Sequence, residues 1–348
     1  PLFTRLRDEV NKEHVGREDA VEAALLALLS GEHCVFLGEP GIAKSSVIKR
    51  VLARIDGARV FYKLLFGDTR ASSILGQFSL RALELEDKHR RNVEGFLPGV
   101  EFAVLEEIFR APGAILDALN DIINERVYGN GAEMIPVPLM TLFAASNDIP
   151  LNPSLRALWD RFLLRVPVEP LRLKGDAKKL LRLKDPEPDP DKIISLDDLR
   201  LAQEEVRMVS IPNHIVDELV EVFLNLKGAN PPIEVSDRRK RLSLNVLRAA
   251  AWLRGGSSVA KRDFYALRFT LWTQREEISL VFGLLEAYQQ AAVENIDAIL
   301  KPIRELHTQF EKIRAQLQAS TGDTNVDFGE ICLLYTSPSP RDLSTSRM

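Results

Sequence analysis

The first half of the chain alternates between short, continuous apolar runs and longer stretches in which apolar residues recur every three or four positions. Continuous runs are typical of buried strands, and the longer spacing is typical of amphipathic helices. We predict strands at 34–37, 59–65, 102–105, 139–145 and 163–168. We predict helices at 4–31, 46–54, 71–85, 114–126 and 153–162, and a hairpin at 127–137. Because strands and helices alternate, the pattern favours an α/β fold with three layers around a parallel-rich central sheet.

The second half of the chain contains only helical patterns. The predicted domains are an α/β core over 1–175, a charged, Pro-containing linker over 176–194, an all-helical lid over 195–275 and a helical extension over 276–330. Residues 331–348 lack apolar periodicity, and we expect a non-native or disordered tail there. Because residue 1 is Pro rather than Met, we expect the chain to begin inside a longer reading frame and the extension to be truncated.

The turn after the first predicted strand matches the pattern G-x-x-x-x-G-K-[ST] except that Ala43 replaces the second Gly. Such a turn between a strand and a helix is a P-loop, whose backbone N–H groups point at phosphate oxygens. We expect Lys44 to reach the β- and γ-phosphates of a nucleotide and the Ser45 hydroxyl to bind Mg²⁺. A methyl group at position 43 is expected to require a negative φ. The residues predicted to contact the nucleotide here are Gly38, Glu39, Pro40, Gly41, Ile42, Ala43, Lys44, Ser45 and Ser46.

Two acidic residues follow the predicted strand at 102–105. Nucleotide hydrolysis needs carboxylates near the phosphates, one to hold Mg²⁺ and one to activate water. We predict that Glu107 is the general base and that Glu106 helps to hold the metal. Asn147 follows the strand at 139–145, and its amide is expected to orient water toward the γ-phosphate. A solvated strand end and an Asn-Asp turn are the alternatives.

Several arginines are candidates for contact with a nucleotide. Arg161 falls at the end of a predicted helix, where we expect it to reach the nucleotide of a neighbouring subunit as an arginine finger. Arg156 is the rival for this role, and Arg165 is assigned to the following strand. Arg238 and Arg239 open a helix of the lid, and we expect one of the two to contact the phosphates, with Arg238 as the candidate and Arg239 as the alternative. Surface ion pairs are the alternative for each.

Composition and charge limit the function classes. The net charge of −4, without a basic stripe interleaved with aromatic residues, disfavours nucleic acid as a partner. The longest apolar runs are too short for the roughly 20 residues of a membrane span, and no signal peptide is visible. Two cysteines cannot form a disulfide framework, which fits a reducing, cytoplasmic location.

Together these motifs resemble the MoxR branch of the AAA+ ATPases, and within it the RavA-like proteins, over residues 10–258. Val15 and Gly16 belong to a stretch that resembles the segment lining the adenine pocket. Glu106 departs from the family pattern, which usually has Asp at that position. The other matching stretches are the P-loop with its alanine, 91–98, 107–111, 124–126, 145–147, 158–162 and 235–239.

This resemblance implies a protein that binds ATP and Mg²⁺, hydrolyses ATP and assembles as a homo-oligomeric ring, a hexamer. It also implies a chaperone-like role in assembling or activating protein complexes, often with a partner that carries a von Willebrand factor A domain. A RavA-like extension would begin within 276–318. Two alternatives stay open, a nucleic-acid-translocating AAA+ motor and a non-hydrolysing switch in which ATP drives assembly.

Overall fold

The predicted core strands lie side by side in one sheet of the computed structural model, which describes residues 2–150, 152–183 and 189–289. Within these ranges the strands are β1 (Cys34–Leu37), β2 (Ile55–Asp56), β3 (Val60–Leu64), β4 (Gln77–Phe78), β5 (Arg91–Asn92), β6 (Phe102–Glu106), β7 (Val127–Asn130), β8 (Glu133–Pro136), β9 (Thr141–Ser146), β10 (Leu164–Pro167) and β11 (Ile194–Ser195). The helices are α1 (Leu2–Glu13), α2 (Glu18–Ser30), α3 (Lys44–Leu52), α4 (Ser72–Leu75), α5 (Leu80–Glu86), α6 (Gly113–Glu125), α7 (Pro153–Arg161), α8 (Lys174–Leu180), α9 (Leu196–Met208), α10 (Asn213–Lys227) and α11 (Asp237–Leu253). Short 3-10 helices lie at Leu97–Gly99, Ile108–Arg110, Lys261–Phe269 and Arg275–Glu277.

The central sheet has the strand order β10-β1-β9-β6-β3, and every neighbouring pair is parallel. Strand β9 therefore lies between β1, which leads into the P-loop, and β6, which ends at Glu106. Leu37 is aligned with Ser146, and Glu106 is aligned with Ala145. Because the carboxyl ends of parallel strands meet at one edge, the P-loop, the two acids and Asn147 share that edge.

The central strands are buried on both faces, which explains their continuous apolar pattern. Val35 and Leu37 of β1 belong to a hydrophobic cluster that includes α6, whereas Cys34 and Phe36 belong to a second cluster built on α2 and α3. Side chains alternate between the two faces of a strand, so helices cover both sides of the sheet. The predicted three-layer α/β fold is confirmed.

Two predicted helices are interrupted in the structure. The stretch 4–31 is divided into α1 and α2, and Gly16 between them has a φ of +64°. The prediction of a single helix at 71–85 is wrong, because the chain forms α4, the short strand β4 and α5 there. Gly76 ends α4 with a φ of +102°, and a Cβ at this position would lie 2.0 Å from the carbonyl oxygen of Asn92 in the paired strand β5. The insertion β4-α5-β5 therefore depends on a glycine at position 76.

The helices from α9 onward pack against the α/β core. Helix α2 contacts both α9 and α11. Two side-chain contacts join α2 to the 3-10 helix Lys261–Phe269: the Tyr265 hydroxyl donates to Glu22 at 2.6 Å, and Arg268 pairs with Asp19 at 2.6 Å. Residues 278–289 are helical, while the rest of the predicted extension and the predicted tail lie outside the described residues. In the described part of the chain, no helix has an apolar stretch long enough to cross a bilayer.

Candidate nucleotide-binding site

The P-loop joins β1 to α3, which begins at Lys44. Gly38 has a φ of +154°, and a Cβ there would lie 2.2 Å from the Val168 carbonyl oxygen, so no larger residue fits. Gly41 has a φ of +81°, a conformation that favours glycine. These glycines let the loop turn tightly into α3, whose first N–H groups have no partner within the helix and are available to an anion.

Ala43, the residue before α3, also has a positive φ, of 68°. The expectation of a negative φ at this position is therefore wrong. The left-handed conformation costs a residue with a Cβ about 1–2 kcal/mol, which the surrounding structure must offset. The loop thus keeps at Ala43 a backbone conformation that favours glycine, with the smallest side chain that has a Cβ.

Lys44 is buried, and its ammonium group makes three contacts at the edge of the sheet. Its Nζ atom donates to the carbonyl oxygen of Gly38, to that of Glu39 at 2.8 Å and to Asn147 Oδ1 at 3.2 Å. The structure therefore brings the P-loop lysine together with the amide that follows β9. Burial lowers the pKa of Lys44, and the two carboxylates at the end of β6 oppose this shift.

The two acids at the end of β6 differ in their surroundings. Glu106 Oε1 lies 3.4 Å from the Lys49 ammonium group. Glu107 has a φ of +55°, donates its backbone N–H to Ala145 at 2.7 Å and places Oε2 3.2 Å from Arg110 Nε. Glu107 is thus tied to strand β9 in a backbone conformation that residues with a Cβ rarely adopt, and such strain is concentrated at functional sites.

A cavity of about 530 Å³ lies next to the P-loop, and its size suits a small-molecule ligand. One wall comes from the segment before α2, a second from the P-loop and the start of α3, and a third from 170–183, which includes α8. The third wall is mostly apolar. The lining residues are Glu13, His14, Val15, Arg17, Gly41, Ile42, Ala43, Ser46, Pro170, Leu171, Ala177, Leu180, Leu181 and Leu183.

The two residues expected near the adenine differ in how they shape this cavity. Val15 lines it directly. Gly16 sets the distance between two walls, because a Cβ there would lie 2.5 Å from Leu171 Cδ2. Ala177 and Leu180 lie within the predicted linker and yet line the cavity. Their apolar spacing among lysines was the signal for this wall, and the charged composition of the segment obscured it.

His14 and Arg17 connect the first wall to the P-loop. Arg17 belongs to the stretch that resembles the adenine-pocket segment, whereas no motif in the sequence points to His14. His14 Nδ1 lies 3.0 Å from the Val10 carbonyl oxygen, so Nδ1 donates there and Nε2 accepts from the Ser46 hydroxyl at 2.9 Å. Burial lowers the pKa of His14, which favours the neutral ring that both contacts require. Arg17 donates through Nε to the Ile42 carbonyl oxygen at 3.0 Å.

The arginines near the end of the core have different environments. Arg161 ends α7, and its buried Nε atom has no hydrogen-bond partner within the described ranges of the chain. Arg156 is exposed on the same helix. Arg165 is fully buried in β10 and donates to the backbone oxygens of Trp159 at 3.1 Å and Trp272 at 2.6 Å, so it serves the fold.

The two lid arginines at the start of α11 contact the end of α7. Arg238 donates to the Asp160 carbonyl oxygen at 3.2 Å and to Asn124 Oδ1 at 3.4 Å. Arg239 is buried and donates to the Leu163 carbonyl oxygen at 3.0 Å. These partners lie outside the P-loop, so a contact between Arg238 and the phosphates of its own subunit stays a prediction.

Two models of known protein families match the chain, one over the α/β core and one over the helices that follow it. A family model described as the MoxR domain in the MoxR-vWA-beta-propeller ternary systems matches residues 2–183. The chain belongs to the MoxR family. A model of an AAA lid domain matches residues 214–285, so this MoxR protein has an AAA+ core followed by a helical lid.

Similar proteins extend over most of the chain. An uncharacterised protein of Methanocaldococcus jannaschii is 34% identical over 90% of this chain and 84% of its own length. Chaperone MoxR1 of Mycobacterium tuberculosis is 25% identical over 84% of this chain and 82% of its own. A Cytophaga hutchinsonii protein described provisionally as an ATPase has a crystal structure with a TM-score of 0.65, which covers 83% of this chain and 93% of that one at 18% identity. This last likeness supports the fold.

The matched ranges differ from the predicted domain boundaries. The MoxR match continues to residue 183 and so includes the apolar wall over 170–183 as well as the P-loop. The lid match begins at residue 214, after α9, whereas the predicted lid begins at 195. Helix α9 contacts α2 and α11, one from each half of the MoxR protein. The exact boundaries stay predictions.

The oxygen donors of the MoxR chain fit Mg²⁺ at the predicted position. Ser45 lies in the first turn of α3, and Glu106 ends β6 at the same edge of the sheet. Mg²⁺ prefers hard oxygen ligands and binds through one or two side chains together with waters and substrate phosphates. Across the residues that the structure describes, no group of three or more His, Cys, Asp or Glu could hold a metal ion alone. The donor set therefore fits an ion that binds together with a nucleotide.

Proposed function

We propose that this MoxR-family protein binds ATP with Mg²⁺ and hydrolyses it to ADP and phosphate. The observation that carries the proposal is the 3.2 Å hydrogen bond between Lys44 Nζ and Asn147 Oδ1, at the edge of the sheet where β6 leads into Glu107. A lysine, an amide and a carboxylate at one edge are the groups that phosphoryl transfer to water requires. The adjoining cavity of about 530 Å³ has room for the nucleoside.

Each residue has a defined part in this reaction. The amides of the P-loop and of the start of α3 bind the phosphates, and Lys44 stabilises the charge that develops on the transferred phosphoryl group. Asn147 orients the attacking water, and Glu107 accepts its proton as the general base. Ser45 and Glu106 would hold Mg²⁺, which when bound withdraws charge from the β- and γ-phosphate oxygens.

The variant Glu107→Gln tests the proposed hydrolysis, because it removes the base and keeps the size of the side chain. We expect phosphate release to fall about 100-fold or more while ATP still binds. Glu84→Gln, at an exposed position on α5, is the matched control and should retain wild-type turnover. Unchanged phosphate release by Glu107→Gln would contradict the role of the base. Absence of phosphate release from the wild-type protein would reject the ATPase proposal.

A non-hydrolysing assembly switch is the second candidate function. Both acids face cations in the structure, Glu106 with Lys49 at 3.4 Å and Glu107 with Arg110 at 3.2 Å. Each carboxylate therefore already has a cationic partner, which competes with a metal ion or a water molecule for its oxygens. ATP-dependent assembly without phosphate release from the wild-type protein would favour this function.

We also propose that the protein assembles as a ring, a hexamer, in which Arg161 contacts the nucleotide of the neighbouring subunit. Among the residues that the structure describes, the Nε atom of Arg161 has no hydrogen-bond partner, and Arg238 adds a second positive charge at the same helix end, where it pairs with Asp160 at 3.9 Å. Guanidinium groups suit phosphate oxygens in charge and in geometry.

Mixing two inactive variants tests this role in trans. Arg161→Ala and Glu107→Gln subunits should each form inactive rings. Mixed rings should regain part of the activity, because some interfaces combine an intact Glu107 with an intact Arg161. Mixed rings that form but release no phosphate would contradict the arginine finger.

We further propose that ATP turnover serves a chaperone-like role with a partner that carries a von Willebrand factor A domain. The matching family is named for MoxR-vWA-beta-propeller systems, and one relative is named a chaperone. The finer RavA-like assignment rests on motif resemblance alone. ATP-dependent binding between this chain and a von Willebrand factor A protein of the same organism, measured with purified components, would support the partnership, and its absence would contradict it.

A further inference from the structure

The segment 272–277, near the end of the lid match, is fixed against the core at a point close to the candidate site. The fully buried Arg165 donates to the Trp272 carbonyl oxygen at 2.6 Å and to the Thr273 hydroxyl at 3.2 Å. On the other side, Glu277 Oε2 accepts the backbone N–H groups of Thr273 at 2.6 Å and Gln274 at 3.1 Å. These contacts hold the backbone that leads into Arg275 and tie it to Glu277, two residues further on.

The Arg275 guanidinium reaches the end of strand β9. Its Nη2 atom donates to the Asn147 carbonyl oxygen at 2.6 Å. Among the described residues, Arg275 forms no ion pair with a carboxylate. Since a guanidinium has five N–H donors, most of them stay available for other acceptors. Arg275 is exposed to solvent rather than enclosed in the core, so a charged ligand has access to it.

Asn147 connects this guanidinium to the P-loop. Its backbone oxygen accepts from Arg275, and its side-chain oxygen accepts from Lys44 at 3.2 Å. Burial is the main cause that lowers the pKa of Lys44, and the positive charge of Arg275 adds a smaller contribution in the same direction. Two cations that converge on one residue repel each other, and an anion between or beside them relieves this repulsion.

Arg275 and Arg238, the lid arginine that the sequence favours, contact different parts of the core. Arg238 contacts the end of α7, whereas Arg275 contacts the residue that follows β9. Helix 278–289 follows Arg275 directly, and its Val281 and Leu285 are buried in the same hydrophobic cluster as α10. A change at Asn147 can therefore be passed through Arg275 to the helices of the lid.

We propose that Arg275 is a positioning residue for ATP hydrolysis, which orients Asn147 of its own subunit and makes the site distinguish ATP from ADP. This inference rests on the proposed ATPase function. The terminal phosphate is the group that differs between the two nucleotides, and Asn147 is the residue proposed to act beside it. Removing the guanidinium should leave the base cavity unchanged, because the lining of that cavity does not include Arg275.

The test compares Arg275→Ala, Arg275→Lys and the control Arg262→Ala, at an exposed position of the 3-10 helix Lys261–Phe269. Affinities for ATP and ADP are measured by isothermal titration calorimetry in the Glu107→Gln background, so that ATP persists. Because Asn147 loses the partner that orients it, ATP binding by Arg275→Ala should weaken roughly 10-fold and ADP binding less than about 2-fold. Arg275→Lys should recover part of the ATP affinity, and Arg262→Ala should match the parent protein.

Turnover gives the second measurement. With Glu107 intact, Arg275→Ala should lower kcat as well as ATP affinity, because Asn147 loses its orientation. Equal losses of ATP and ADP affinity would overturn the proposal and indicate a structural role for the segment, as would affinities that do not change. Failure of the wild-type protein to hydrolyse ATP would instead reject the proposed function, so the two failures can be told apart.

Discussion

The end of the cleft at which we propose that phosphates bind (the phosphate end) and the end at which we propose that the base binds (the base end) are built in different ways. The phosphate end uses the P-loop and two strand ends of a single sheet, and its side chains are Lys44, Glu107 and Asn147. The base end joins three segments that are distant in sequence, and its apolar wall comes from 170–183. The first end is polar and fixed by strand register, whereas the second depends on packing between separate elements.

This difference has a consequence for recognition. The groups at the phosphate end attract phosphate oxygens through charge and hydrogen bonds, so they should bind a polyphosphate with or without a nucleoside. The apolar wall acts through burial of the base, so it should matter only when a nucleoside is present. Comparing ATP with inorganic tripolyphosphate therefore separates the two ends.

The largest expected effect comes from Lys44→Ala at the phosphate end. Loss of its charge-assisted contacts, each worth about 1.5–3 kcal/mol, should weaken both ATP and tripolyphosphate binding about 100-fold. The exposed Lys227→Ala on α10 is the control and should bind both ligands normally. Titration calorimetry measures both affinities. A Lys44→Ala protein that keeps its tripolyphosphate affinity would show that the P-loop does not bind the phosphates.

A smaller and more selective effect is expected from Leu171→Ala at the base end. Truncating this cavity side chain removes about 1–2 kcal/mol of apolar burial, so ATP affinity should fall roughly tenfold. Tripolyphosphate affinity should not change. Leu201→Ala on α9, where the side chain is 57% exposed, is the matched control. Equal losses for both ligands would show that the wall does not bind the base.

The same contrast explains what could be predicted from the sequence. The phosphate end can be predicted from contiguous motifs and from the alternation of strands and helices. These two patterns place Asn147 beside Lys44 from the sequence alone. Parallel strands align their carboxyl ends, so a polar residue after each strand falls at one edge. At this end, the residues that the local motifs select are also the residues that strand alignment brings together. The alternation of strands and helices likewise predicts the three-layer fold.

The apolar wall over 170–183 and the Arg275 contact depend on packing between segments that are distant in the sequence. Leu180 is 51% exposed and lies among lysines, so its segment resembles a solvated linker until α8 is seen against the cavity. Arg275 reaches Asn147 from a segment that is anchored by Arg165, a residue more than 100 positions away in the sequence. At 71–85, in contrast, Gly76 was a visible signal against a continuous helix, since glycine often marks a break.

A pH-dependent effect is expected at the junction of the two ends, at His14. Burial lowers its pKa from the ordinary value of 6.5, so the unfolded chain binds more protons than the native protein below that pH. The free energy of unfolding should therefore fall as the pH drops below 6.5, by at most about 1.4 kcal/mol per pH unit for one histidine. Protonation of Nε2 also removes the acceptor for the Ser46 hydroxyl.

Urea unfolding between pH 5 and pH 8 measures this effect. His14→Gln should flatten part of the acid slope, and the exposed His214→Gln should not. Burial lowers the pKa of His33 as well, so some slope should persist in both variants. Identical slopes for His14→Gln and the wild-type protein would contradict the role of His14.

The smallest effect is expected from Ala43→Gly in the P-loop. Relief of the left-handed strain, about 1 kcal/mol, is offset by the greater freedom of glycine in the unfolded chain, about 0.5–1 kcal/mol. The urea midpoint and ATP affinity should therefore stay close to those of the wild-type protein. Ala43→Val should lower both, because a β-branched residue strongly disfavours a φ of 68°. If the valine variant behaves like the wild-type protein, the loop relaxes to a negative φ at position 43. The backbone would then hold the phosphate end less firmly than packing holds the base end.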